Sequence, residues 1–134
     1  MLVVSDIMQK DVRTITEDAP VAEAIVALAD GHISGLPVLN RAGELVGVVS
    51  STDILAAEAE SGSGTELEQV AIHTQVGDIM TRQPRTVEPT APVKVAAQEM
   101  LYLDVHRLLV VTNGKLLGVV SQTDIVRAVA SGRL

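Results

Sequence analysis

The sequence predicts a mixed α/β (α+β) protein built from two copies of one β-α-β-β-α unit. Three observations predict it. One segment pattern runs twice through the chain in register, short β-branched runs alternate with longer alanine-rich stretches, and Gly- or Asn-bearing turns separate them.

The repeat is the strongest of the three. Ser5-Asp6-Ile7-Met8 recurs as Gly77-Asp78-Ile79-Met80, Arg13-Thr14-Ile15 as Arg85-Thr86-Val87, and Ala19-Pro20-Val21 as Ala91-Pro92-Val93. The octet Gly47-Val48-Val49-Ser50-Ser51-Thr52-Asp53-Ile54 recurs as Gly118-Val119-Val120-Ser121-Gln122-Thr123-Asp124-Ile125. The offset is 72 residues early and 71 late, which puts a one-residue deletion in the turn near Asn40 to Gly43.

Each copy reads alike. A short helical turn bearing Asp-Ile-Met precedes a brief strand around Val12 to Ile15. Asp18, matched by Thr90, is the expected helix N-cap, with the Pro two residues later in the first turn, where a missing N–H costs little. Residues 21–29 have helical composition, and Gly31 is the expected C-cap. Leu36 to Leu39 and Glu44 to Val49 read as a hairpin about Asn40-Arg41-Ala42-Gly43, and a second helix begins near Ser50. Copy one is placed at 1–60, a polar linker at 61–72 and copy two at 73–134. A single copy cannot bury both its sheet and its helices, so the two are expected to pack about a pseudo-twofold axis, with clefts between them.

Composition limits the function. The net charge is −7 at pH 7, which argues against a nucleic-acid polymer as partner. With no Phe or Trp and one Tyr, the core must be aliphatic, with Met8, Met80 and Met100 as fillers. There is no cysteine, hence no disulfide, thiolate zinc site or thiol nucleophile. His32 and His73 read as surface residues, and no nucleophile-elbow context or zinc spacing appears, so no catalytic residue or metal ligand is assigned. No apolar run approaches a bilayer span and no signal segment opens the chain, so the expectation is a cytoplasmic protein away from membranes. No attached effector domain is read, so output would pass through another, unknown effector protein or through dimer geometry.

The octet carries the chemistry. Hydroxyls and a carboxylate stand in the first turn of a helix that follows a strand, where free N–H groups and the helix dipole favour anions. Asp53 or Asp124 could accept two hydrogen bonds from the vicinal hydroxyls of a ribose, with Ser50 and Thr52, or Ser121 and Thr123, on the phosphate or other sugar oxygens. Ser-x-x-Asp is also the pattern of a capping box, which needs no ligand, and spacing alone favours the cap. Doubling of the whole octet favours a site.

Asp6-Ile7-Met8, Ile33-Ser34-Gly35-Leu36-Pro37-Val38 and Gly47 through Ile54, with their second copies, resemble a tandem pair of cystathionine-β-synthase (CBS) domains, the arrangement called a Bateman module. Val105 to Val111 and Gly118 to Ile125 are similar to the repeats of the AMP-sensing gamma subunit of AMP-activated protein kinase. The resemblance implies a regulatory site for an adenine nucleotide or an S-adenosylmethionine-like molecule, assembled from both copies. One cleft would join Ser50, Thr52 and Asp53 to Pro84, Arg85, Val105, His106 and Arg107. The other would join Ser121, Thr123 and Asp124 to Val12, Arg13, Ile33, Ser34, Gly35 and Pro37.

The copies differ where it matters. His106-Arg107 can fork a phosphate, whereas Ser34-Gly35 leaves room for a base or sugar edge, so unequal affinities are expected. Copy two also has Leu109 where copy one has Pro37. The family setting leaves Mg²⁺ open as a companion ion. It further implies a homodimer, with Val26, Ala29, Met100 and Leu101 as candidate contacts. The alternative function is a structural or dimerisation module with empty clefts.

Overall fold

The computed structural model describes residues 1–61 and 71–133, and the expected linker lies for the most part outside them. The chain forms two compact units, Arg13–Pro84 and Met1–Val12 with Arg85–Leu134. Each unit therefore takes most of one repeat together with the leading segment of the other.

In the unit Arg13–Pro84 the order is β1 (Ile15–Thr16), α1 (Val21–Gly31), β2 (Gly35–Leu39), β3 (Leu45–Ser50), α2 (Ser51–Ser61), a short α3 (Val76–Ile79) and β4 (Thr81–Arg82). The sheet order is β1-β2-β3-β4, with β1 parallel to β2 and the other neighbours antiparallel. Ile15, Ala24, Leu28, Leu36, Val38, Val49, Val76 and Met80 are buried together as its aliphatic core. The second unit repeats the plan with a 3-10 turn (Val4–Asp6), β5 (Thr86–Val87), α4 (Val93–Leu103), β6 (Arg107–Thr112), β7 (Lys115–Ser121) and α5 (Gln122–Ala130). Its core gathers Val4, Ala96, Met100, Leu108, Val110 and Val120.

Both first helices start without a side-chain cap. The N-caps are Pro20 and Pro92, not Asp18 and Thr90. The reason is tertiary: the first helical N–H of α1 donates to the Thr74 carbonyl at 2.9 Å, and that of α4 to the Leu2 carbonyl at 3.1 Å. Backbone from the other repeat's leading segment thus satisfies donors that a side chain would otherwise take. Asp18 faces Arg41 instead, at 3.5 Å. Gly31 is the last residue of α1; the left-handed cap is His32 (φ 49°), matched by Asp104 (φ 55°) after α4.

The hairpins follow their turn residues. Asn40 Oδ1 accepts the Ala42 and Glu44 N–H groups at 3.0 and 2.9 Å, and Gly43 takes φ 79°. In the second unit Asn113 and Gly114 make a tighter two-residue turn at φ 51° and 80°, which is where the repeat loses length.

The glycine that opens each octet has a packing reason. A Cβ on Gly47 would stand 2.7 Å from the Thr81 carbonyl oxygen and 2.8 Å from Met80 Sδ. A Cβ on Gly118 would overlap the Gln9 carbonyl oxygen and lie 3.1 Å from Met8 Sδ. In both units the segment after Asp-Ile-Met lies directly on that strand, through β3–β4 pairing in one and a Gln9–Val119 bridge in the other.

Candidate functional site

Each octet lies where its strand ends and the following helix begins. Ser50 and Ser121 are the residues before α2 and α5, and Asp53 and Asp124 stand three residues on. The Ser50 N–H donates to Asp53 Oδ2 at 2.8 Å while the Asp53 N–H donates to Ser50 Oγ at 3.2 Å. The same reciprocal pair in the second unit measures 2.8 and 3.1 Å. The capping box is real in both copies. A further first-turn N–H is also engaged, Ser51 with the Ser34 carbonyl at 3.0 Å and Gln122 with the His106 carbonyl at 2.9 Å. The helix starts are therefore less open to an anion than the spacing suggests.

The second carboxylate oxygen has a partner too. Thr81 Oγ1 donates to Asp53 Oδ1 at 2.9 Å, and Gln9 Nε2 donates to Asp124 Oδ1 at 3.0 Å. Sequence reading missed both residues. They hold the same position, one after Asp-Ile-Met, but their types differ, so matching the copies for identity passes over them. Asp124 is only 6% exposed, whereas Asp53 is half-buried.

Strand register fixes what joins these carboxylates within each unit. Gly35 pairs with Ser50, and Arg107 with Ser121. The starts of β1 and β2, or of β5 and β6, lie at that same end of the sheet because those strands are parallel. One unit accordingly gathers Arg13, Ile33, Ser34 and Gly35 with Ser50, Thr52 and Asp53. The other gathers Arg85, Val105, His106 and Arg107 with Ser121, Thr123 and Asp124. The two halves of each expected cross-copy cleft belong to different units: Asp53 with Pro84 but not with Arg85 or residues 105–107, and Asp124 with Val12 but not with Arg13 or residues 33–37.

The two ends differ chemically. Arg85, His106 and Arg107 are exposed, three donors on or beside adjacent strand starts. In the other unit Arg13 reaches the C-terminal end of α1, its Nη1 3.7 Å from where a Cβ on Gly31 would be, a placement that suits the negative end of the helix dipole. Pro37 is buried in β2 opposite Val48. Its counterpart Leu109 donates its N–H to the Arg85 carbonyl at 3.0 Å, a bond proline cannot make, and the β1–β2 pairing starts only at Ile15 and Val38. Among the described residues no three His, Cys, Asp or Glu side chains gather as a metal site, and no helix is long and apolar enough to cross a membrane.

The chain matches the CBS domain twice, at residues 4–60 and 76–131. It belongs to the CBS domain family. The two CBS repeats make it a tandem pair, the Bateman arrangement. It is 33% identical over 141 residues to the chloroplastic CBS domain-containing protein CBSX1 of Arabidopsis thaliana, an alignment covering 90% of this chain and 60% of that protein. The chain spans 43% of MJ1225, an uncharacterized Methanocaldococcus jannaschii protein to which it is 27% identical. Among solved structures, CBSX2 in complex with AMP superposes with a TM-score of 0.81 at 31% identity, covering 100% of both chains. The CBS domain pair of protein MJ0100 in complex with 5-methylthioadenosine and S-adenosyl-L-methionine gives 0.74 at 27%, covering 100% of this chain and 99% of that one.

Proposed function

We propose that this CBS pair is a regulatory module that binds an adenosyl ligand at the octet ends of its sheets and catalyses nothing. The observation that carries the reading is the doubled Ser–Asp arrangement, in a chain similar over its full length to a protein crystallised with AMP. Asp53 and Asp124 would accept the ribose hydroxyls, with the neighbouring Ser and Thr on other polar atoms. Arg85, His106 and Arg107 make the Asp124 end the place for a phosphate, since a guanidinium forks two phosphate oxygens. This grouping keeps each site within one unit and departs from the cross-copy pairing that the resemblance implied. Pro37, being buried, is assigned to packing.

The output would pass through a second copy. Val26 and Leu101 are 56% and 78% exposed, and an apolar groove of about 320 Å³ between α1 and α2 is lined by Ile25, Leu28, Ala29, Ile54 and Leu55. Met100, 2% exposed, is core and drops out of the expected contact surface.

A melting-temperature screen with AMP, ADP, ATP and S-adenosylmethionine tests the function. Ligand at a hundredfold excess over its Kd should add about 2.7 kcal/mol of stability. The structural-module reading has its own support, the closed capping boxes with both carboxylates already hydrogen-bonded. No shift with any of the four ligands would favour that reading instead.

A further inference from the structure

We infer that Gln9 and Thr81 set the affinity of the two sugar-binding carboxylates, each acting as a gate that competes with a ligand's hydroxyls for the outer oxygen of its aspartate. The inference rests on the nucleotide-binding function proposed above. It begins from an accounting of acceptors. The Oδ2 atoms of Asp53 and Asp124 are held by the backbone N–H of Ser50 and Ser121, and these bonds are part of the helix starts. The Oδ1 atoms, the ones a ligand could take without unwinding a helix, are held by Thr81 and Gln9. A ribose hydroxyl would donate to the same oxygen.

Both gate side chains are exposed, while the carboxylates they hold are not. An exposed side chain regains rotamer freedom and water contacts when it swings away, so release is cheap compared with breaking the cap. The gates are unequal. Gln9 donates through a long amide to Asp124, which is 6% exposed. Thr81 donates through a short hydroxyl to Asp53, which is half-buried. The Asp53 site therefore fills first, although the Asp124 site has the better phosphate donors.

Exchanging the gates tests this with AMP as probe, in calorimetric titrations of the full chain. An Asp53→Ala background reads the Asp124 site alone, and Asp124→Ala reads the other. Gln9→Thr in the first background should tighten AMP about tenfold, and Thr81→Gln in the second should weaken it by about the same factor, the scale of one hydrogen bond to a charged group. Melting temperatures confirm folding, with Gln9→Ser as the second variant should Gln9→Thr unfold. Unchanged Kd values in both exchanges, or weaker binding with Gln9→Thr, would overturn the gate and leave nucleotide binding standing. Absence of AMP binding at Asp124 both with and without Gln9→Thr overturns it too. If the unaltered chain and every variant fail to bind AMP, ADP, ATP or S-adenosylmethionine, both proposals fall together.

Discussion

Gln9 and Asp124, 115 residues apart in sequence, meet through a 3.0 Å hydrogen bond that ties the start of the chain to its last helix. The bond does not stand alone. Gln9 and Val119 also exchange backbone hydrogen bonds of 2.8 and 2.9 Å, so the segment is seated on β7 through a single β-bridge. Thr81 and Asp53 reproduce the relationship in the other unit.

That seating depends on absent side chains at Gly47 and Gly118. Gly118→Ala should destabilise the protein by about 1–3 kcal/mol through overpacking, because the obstruction is the backbone carbonyl of Gln9, which cannot rotate aside. Gly47→Ala should cost a similar amount against Thr81. Urea unfolding of each variant measures it; a midpoint equal to that of the unaltered chain would contradict the close approach.

The capping boxes predict a second pair of losses. Asp53→Ala and Asp124→Ala should each cost about 1 kcal/mol from the helix start alone. Asp124→Ala should cost more, because Asp124 is 6% exposed and its truncation leaves a gap in packed surroundings, whereas Asp53 is half-buried. Thermal unfolding without ligand is the measurement, and equal or reversed costs would contradict the burial difference.

Unit composition makes a prediction about fragments. A peptide of residues 13–84 holds β1 to β4 and the whole core that includes Val76 and Met80, so it should fold alone. A peptide of residues 1–60 lacks both residues and the Thr74 carbonyl that receives the first N–H of α1, and should stay largely unfolded. Circular dichroism and amide proton dispersion compare the two. Equal folding would show that the repeat, not the unit, is the folding element.

Asp18 supplies a pH dependence. Its carboxyl is held below the ordinary 3.8, first by a hydrogen bond from the Thr16 side chain, with Arg41 adding to it. A depressed folded-state pKa means the contribution is present above the unfolded value and is lost as pH falls through the folded one. Thr16→Val should raise the Asp18 pKa, and an NMR titration of the side chain reads it directly. A titration unchanged by that substitution would remove Thr16 as the cause.

Where sequence reading succeeded, the signal was local. The first hairpin follows from Asn40 to Gly43, whose Asn and Gly favour a chain reversal. The capping box follows from Ser50 and Asp53, three residues apart. It failed where a distant backbone took a local role, as when the Thr74 and Leu2 carbonyls made Asp18 and Thr90 unnecessary as caps. Gly31 was displaced for a different reason: His32 adopts the left-handed conformation itself, which a polar residue tolerates at modest cost.

The sequence by itself determined the two copies, the order β-α-β-β-α in each, and the position of Ser50, Asp53, Ser121 and Asp124 at helix starts, because periodicity, turn dihedrals and capping act over a few residues. Only the tertiary structure decided that residues 1–12 join the second copy and residues up to Pro84 the first. The bonds that seat those segments are mainly backbone N–H to carbonyl, which every residue but proline can make, so residue type says little about their partners. That choice is also what brought Gln9 and Thr81 onto the two aspartates.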